Sequence, residues 1–253
     1  MNNKKIGIFD SGIGGLSILS ELIRIMPNED YLFYEDSINN PYGEKDDKEL
    51  FNITSKVVDY LLAQECKIIV IACNTATTSC LKKLREKYKD TIFIGTVPAI
   101  KEAYDNHKKN TILLATPYTV NSIRVKELLN NYTTSSQTIN LVSGEELAHL
   151  IEIGDEEKIQ SLLSKLLIPY KETCDSIVLG CTHYPLVKDK IKQILPNAQI
   201  LDGTIGVAKE VKHQLDLNNL LNDSNRDGNI EIINSKSEKL VNRSFEILEN
   251  MLK

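Results

Sequence analysis

The 253-residue sequence has no run approaching the roughly 18 apolar residues that a transmembrane helix needs. Its first apolar segment ends at Asp10, too short for the apolar core of about 7–15 residues in a secretory signal. The expectation is a cytoplasmic protein without a membrane partner. An excess of basic charge is also missing. Asp and Glu number 35 against 30 Lys and Arg, for a net charge of −5 and a pI ≈ 5.5. That balance argues against an electrostatic nucleic-acid binder.

Several chemical motifs are missing as well. No C-x-x-C pair occurs: Cys66, Cys73 and Cys80 are seven apart, and Cys181-Thr182-His183 is a lone C-x-H. Zinc sites want paired ligands and dithiol redox sites want C-x-x-C, so no metal and no redox pair are expected. Neither Cys73 nor Cys181 is followed closely by an arginine that could cradle a phosphate. Thr75 and His183 stand where a nucleophile elbow needs glycine. The segment Asp10-Ser11-Gly12-Ile13-Gly14-Gly15 resembles a phosphate-binding turn. Ser17 breaks its G-x-G-x-x-G pattern, however, and no Walker lysine follows. A tight turn explains it equally well.

What is present is alternation. A chain of this length corresponds to one or two domains with a proper core. Short apolar, β-branched runs lie at residues 6–9, 31–34, 68–71, 92–94, 112–114, 139–142, 177–179, 200–201 and 230–233. Most lack polar alternation, as strands covered on both faces should. Helical spacing separates them: Leu19, Leu22, Ile23 and Met26 before Pro27; Val57, Val58, Leu61 and Leu62; Ile159, Leu162, Leu163, Leu166 and Leu167. This pattern predicts parallel α/β architecture, with function at the carboxyl ends of strands.

Two strand exits match. Ile71-Ala72-Cys73-Asn74-Thr75 and Leu179-Gly180-Cys181-Thr182-His183 each run from aliphatic residues through a small residue to cysteine and then polar groups. Helix-like spacing follows both. Cys181 lies 108 residues after Cys73, which suggests two similar domains, each placing one thiol at a strand end across a shared cleft. A lone cysteine at such a corner is commonly buried filler. Two in matching positions point to chemistry, whereas Cys66, Cys80 and Cys174 carry no such signal. Two opposed thiols suit a reaction that removes a proton from one face of a carbon and returns one to the other. Exclusion of water would protect the carbanion between those steps. Asp10 could assist Cys73, and His183 could assist Cys181.

The segments Phe9-Asp10-Ser11-Gly12-Ile13-Gly14-Gly15-Leu16, Pro41-Tyr42-Gly43, Ala72-Cys73-Asn74-Thr75-Ala76 and Gly180-Cys181-Thr182-His183-Tyr184-Pro185 together resemble the glutamate racemases. These form a branch of the aspartate/glutamate racemase family. They make D-glutamate for bacterial peptidoglycan without a cofactor. The likeness runs the whole length, through Gly95-Thr96-Val97-Pro98-Ala99-Ile100 and Asp202-Gly203-Thr204. It implies two parallel-sheet α/β domains related by a pseudo-twofold, with the active site in the cleft between them. The first would comprise 1–95 plus 206–253, and the second 96–205. It implies Cys73 and Cys181 as the acid/base pair, assisted by Asp10 and His183. Asp10, Ser11, Pro41, Tyr42, Gly43, Asn74, Thr75, Thr116, Thr119, Thr182 and His183 would line the glutamate site, with Glu152 near it. A homodimer is implied too. The segments 143–149 and 120–125 depart from the family pattern. Rival readings are an aspartate or other amino-acid racemase on the same scaffold, a catalytically silent α/β binding protein, and a cysteine-nucleophile hydrolase.

Overall fold

A computed structural model describes residues 4–222 and 224–253. The chain opens with β1 (Ile6–Asp10), α1 (Leu16–Ile25), β2 (Tyr31–Glu35), α2 (Asp47–Ala63), β3 (Ile68–Ile71), α3 (Asn74–Lys87) and β4 (Phe93–Gly95). It continues with α4 (Ile100–Asp105), β5 (Asn110–Ala115), α5 (Pro117–Val120), α6 (Ile123–Tyr132), β6 (Thr138–Ser143), α7 (Leu147–Ile153), α8 (Glu156–Leu167), β7 (Ser176–Gly180), α9 (Lys188–Ile194) and β8 (Gln199–Leu201). α10 (Thr204–Leu217), β9 (Ile230–Asn234) and α11 (Glu238–Leu252) follow. The chain divides into two compact units, one of residues up to Thr96 together with Thr204–Lys253, the other Val97–Gly203.

The first unit holds a five-stranded sheet in the order β4-β3-β1-β2-β9, and the second a four-stranded sheet in the order β6-β5-β7-β8. Every pairing among the described strands is parallel. The central strands explain why. β1 and β3 are buried at every position, as is β7, so each needs helices on both faces. Ile6, Ile8, Ile69 and Ile71 supply the β-branched side chains that pack well on a pleated surface.

Local signals set the helix ends. The Asp46 carboxylate accepts from the amides of Lys48 and Glu49 and starts α2, whose buried face carries Leu50, Val57, Val58 and Leu61. α1 stops just before Pro27, since proline disfavours helical backbone in the residue ahead of it. Helix-like spacing follows both thiols in the sequence, and the structure separates the two cases. Cys73 is the N-cap of the 14-residue α3. Cys181 instead leads into a 3-10 turn, Tyr184–Val187, before α9 begins. Pro185 sits in the first positions of that turn and lacks the amide a longer helix would use.

In both sheets the direction in which strands are added reverses beside the first strand. β1 is followed by β2 on one side and by β3 on the other; β5 is followed by β6 on one side and by β7 on the other. Crevices for ligands form outside the carboxyl ends at such reversal points. Asp10 and Cys73 leave one of them, Thr116 and Cys181 the other.

The opposite, amino end of the first sheet is sealed by polar contacts. Lys67 Nζ lies 2.6 Å from Glu29 Oε2 and donates to the Leu220 carbonyl at 2.7 Å. The Asn222 amide donates to Glu29 Oε1 at 2.7 Å. Both charged side chains are almost wholly buried, at 1% and 2% exposure. Removing one partner strands the other charge in a low dielectric. Lys67→Met is expected to lower stability by about 3–5 kcal/mol in urea unfolding, with most of that recovered in Lys67→Met/Glu29→Leu. A neutral single variant would contradict the account.

Candidate active site

In the first unit the side chains gather around Cys73. The Ala72 amide donates to the Phe9 carbonyl at 2.9 Å, which seats the end of β3 beside the end of β1. Cys73 is nearly buried, at 6%, within the cluster that includes Phe9, Tyr42, Ile71 and Ala76. As N-cap of α3 it stands at the positive end of a helix with no acidic residue in its first turn. That is a favourable place for negative charge. Asp10 is fully buried and accepts from the Ser11 amide at 2.7 Å. The glycine-rich turn packs tightly here: a Cβ at Gly15 would come within 2.9 Å of Asp10 Cβ and 2.8 Å of the Phe33 ring. Asn74 and Thr75 form the buried first turn of α3.

Tyr42 closes this group. Its segment follows a cis Asn40–Pro41 peptide bond, and its ring is buried. The Tyr42 hydroxyl donates to Asp36 Oδ2 at 2.7 Å. Burial first, and then the negative charges of Asp36, Cys73 and Asp10, hold the phenol well above its ordinary range, so it stays a neutral donor. Gly43 lies on the exposed side of the same turn and Pro41 is half-buried.

Asp36 was not among the sequence candidates. It is buried, accepts from Asn39 Nδ2 at 2.9 Å, and its amide donates to the Asp10 carbonyl at 2.8 Å. Its signal in the sequence is weak: Asp36 stands two residues after the run at residues 31–34, behind Glu35, whereas Asp10 directly follows its own run.

The second unit builds its group around Cys181. Ala115 pairs with Gly180, so Thr116 and Cys181 leave adjacent strands at one level. Thr116 caps α5, its hydroxyl accepting from the Thr119 amide and donating to Thr119 Oγ1 at 3.1 Å. Thr119, Thr182 and Cys181 are all buried. His183 links two groups: its Nδ1 lies 3.9 Å from Cys181 Sγ, and its Nε2 lies 2.7 Å from Glu152 Oε2. Burial of the ring works against the imidazolium. The hydrogen bonds to Cys181 and Glu152, with the charges of both, outweigh it and raise the His183 pKa well above its ordinary value. A carboxylate on one ring nitrogen fixes the ring and leaves the other facing the sulfur.

Burial pushes the Cys66 thiol up to about 12, with Lys5 opposing, and burial raises Cys80 and Cys174 too. Such thiols are poor nucleophiles and poor bases near neutral pH. Among the described residues, no three His, Cys, Asp or Glu side chains are grouped to hold a metal ion.

The chain is similar to known proteins along its length. The family model for Asp/Glu/Hydantoin racemase matches residues 29–211. A glutamate racemase from Clostridium perfringens is 40% identical over 255 residues, covering 98% of each chain. Among solved structures, a glutamate racemase isoform from Bacillus anthracis aligns with a TM-score of 0.84 at 26% identity, over 97% of this chain and 95% of that one. The Escherichia coli glutamate racemase, solved with L-glutamate and the activator UDP-MurNAc-ala, aligns with a TM-score of 0.84 at 28% identity, over 98% and 95%. With its two parallel sheets and a thiol at the exit of a strand in each, the chain belongs to the glutamate racemases of the Asp/Glu/hydantoin racemase family.

Proposed function

We propose that the protein interconverts L- and D-glutamate by moving a proton at Cα between two thiols, and that its D-glutamate serves peptidoglycan synthesis in the cytoplasm. The two compact units act as domains that each supply one thiol. In one direction the Cys73 thiolate takes the Cα proton. The electron pair is held on Cα and the adjoining carboxylate, and the Cys181 thiol returns a proton to the opposite face. The reverse direction exchanges their roles. No atom is gained or lost, and no redox partner is needed.

The observation that carries this reading is the chain from Cys181 through His183 to Glu152, with its 2.7 Å charged hydrogen bond. An imidazolium favoured at that point stabilises a thiolate beside it and can restore its proton. On the other side, Asp10 assists Cys73 and faces the substrate ammonium. Ser11, Tyr42, Gly43, Asn74, Thr75, Thr116, Thr119 and Thr182 supply hydroxyl, amide and backbone donors for the two substrate carboxylates. A silent binding protein has no need of a buried thiol–imidazole–carboxylate chain, and a hydrolase needs only one thiol.

Incubation with L-glutamate and then D-glutamate in D2O tests the mechanism, with Cα deuteration followed by NMR alongside optical rotation. Cys73→Ala and Cys181→Ala should each lower racemisation by about 10²–10⁴-fold. Full racemisation by either variant would sink the two-thiol mechanism, and turnover of aspartate in place of glutamate would sink the substrate assignment. Size-exclusion chromatography tests the homodimer that the family resemblance implies.

The raised pKa of His183 also predicts a pH dependence. A group whose folded-state pKa lies above its unfolded value of 6.5 contributes its stability fully below that value. The contribution is lost as pH rises through the folded-state value. The Tm difference between the wild type and His183→Asn should therefore be largest near pH 6 and shrink on the alkaline side. A difference that grows with pH would show that the imidazolium is not the form held in the folded state.

A further inference from the structure

The two residues that open the 3-10 turn after Cys181 grip opposite ends of one short helix. His183 reaches Glu152, the penultimate residue of α7, at 2.7 Å. Its neighbour Tyr184 is fully buried, and its hydroxyl donates to the Gly144 carbonyl at 3.1 Å. That same carbonyl accepts from the amide of Leu147, the first residue of α7, at 3.2 Å. The Tyr184 hydroxyl therefore pins the oxygen on which α7 starts. The helix spans only seven residues, about 10 Å at 1.5 Å per residue, so its two ends move together.

The entry to α7 lacks the usual supports. Glu146, the N-cap, offers no side-chain hydrogen bond to the helix. Its backbone is left-handed, at φ 62°, which costs a non-glycine residue roughly 1–2 kcal/mol. Gly144 leaves the space the tyrosine needs, since a Cβ there would collide with the Tyr184 hydroxyl. Leu147, Leu150 and Ile151 seat the helix in the same apolar cluster as Tyr184 and Cys181.

We propose that Tyr184 is a positioning residue for the racemisation: through the Gly144 carbonyl and α7 it sets the Glu152 carboxylate against His183, and so orients the imidazole toward Cys181. This rests on the thiol–imidazole–carboxylate reading above. Hydroxyl, carbonyl, helix, carboxylate and imidazole form a closed loop that returns to the residue next to its start. Loss of the hydroxyl frees the amino end of α7 while leaving every titratable group of the relay in place.

The test is a double-mutant cycle on the full chain with L- and D-glutamate. Tyr184→Phe keeps the buried ring. It should lower kcat by about 10- to 100-fold, the scale of an ångström-level misplacement, with KM unchanged. It should also shift the pH–rate limb that His183→Asn abolishes. Glu152→Gln should lower kcat similarly, and Tyr184→Phe should cost nothing further in the Glu152→Gln background. Gly144→Ala displaces the hydroxyl in a chain that retains Tyr184, so it should reproduce the loss even if Tyr184→Phe folds poorly. Wild-type kcat and pH profile in Tyr184→Phe would overturn the proposal, as would its full loss repeated on top of Glu152→Gln. Wild-type rates in Glu152→Gln and His183→Asn would instead overturn the relay itself.

Discussion

Burial of parallel strands on both faces is the constraint from which the rest of this structure follows. β1, β3 and β7 are closed off by helices, so polar chemistry cannot sit on a sheet face. It is driven to the carboxyl ends, where reversals of strand order open space between neighbouring loops. Asp10, Asp36 and Cys73 collect at one such edge, and Thr116, Cys181 and His183 at the other. The amino edge of the first sheet is occupied instead by the buried pair of Lys67 and Glu29.

Two thiols in matching positions have different surroundings. Cys73 stands at the start of a 14-residue helix and beside a buried carboxylate network of Asp10, Asp36 and Tyr42. Cys181 precedes a proline-bearing 3-10 turn, which offers less of a helix end, and lies beside an imidazole held by Glu152. One thiol thus has the backbone dipoles of a helix end beside it, and the other a titrating side chain. Tyr42 and Tyr184 are alike: each is buried, and each stays a neutral hydroxyl donor, to Asp36 in one case and to the Gly144 carbonyl in the other.

The alternation of apolar runs with helical spacing made the fold class readable. Each of the nine apolar runs is a strand in the structure, with ends that agree to within two residues. Fully buried strands leave that trace because almost every position along them must be apolar. The matched exits at Cys73 and Cys181 were legible for a related reason: a thiol between a small residue and a polar group stands out against an aliphatic run. Asp36 and Tyr184 did not stand out. Their roles depend on hydrogen bonds to Tyr42 and Gly144, partners whose meaning local spacing does not reveal.

Composition and order along the chain determined a parallel α/β protein with two cysteine-bearing strand exits and no metal or redox motif. These are properties of neighbours in sequence, fixed by side-chain volume, polarity and backbone preference. Tertiary structure decided which polar groups lie beside which thiol. Glu152 lies 31 residues from His183, and Gly144 lies 40 from Tyr184. Only the seating of α7 against the turn after β7 brings a carboxylate to the imidazole. Periodicity along the chain records which face of an element is buried, but not which partner is buried against it.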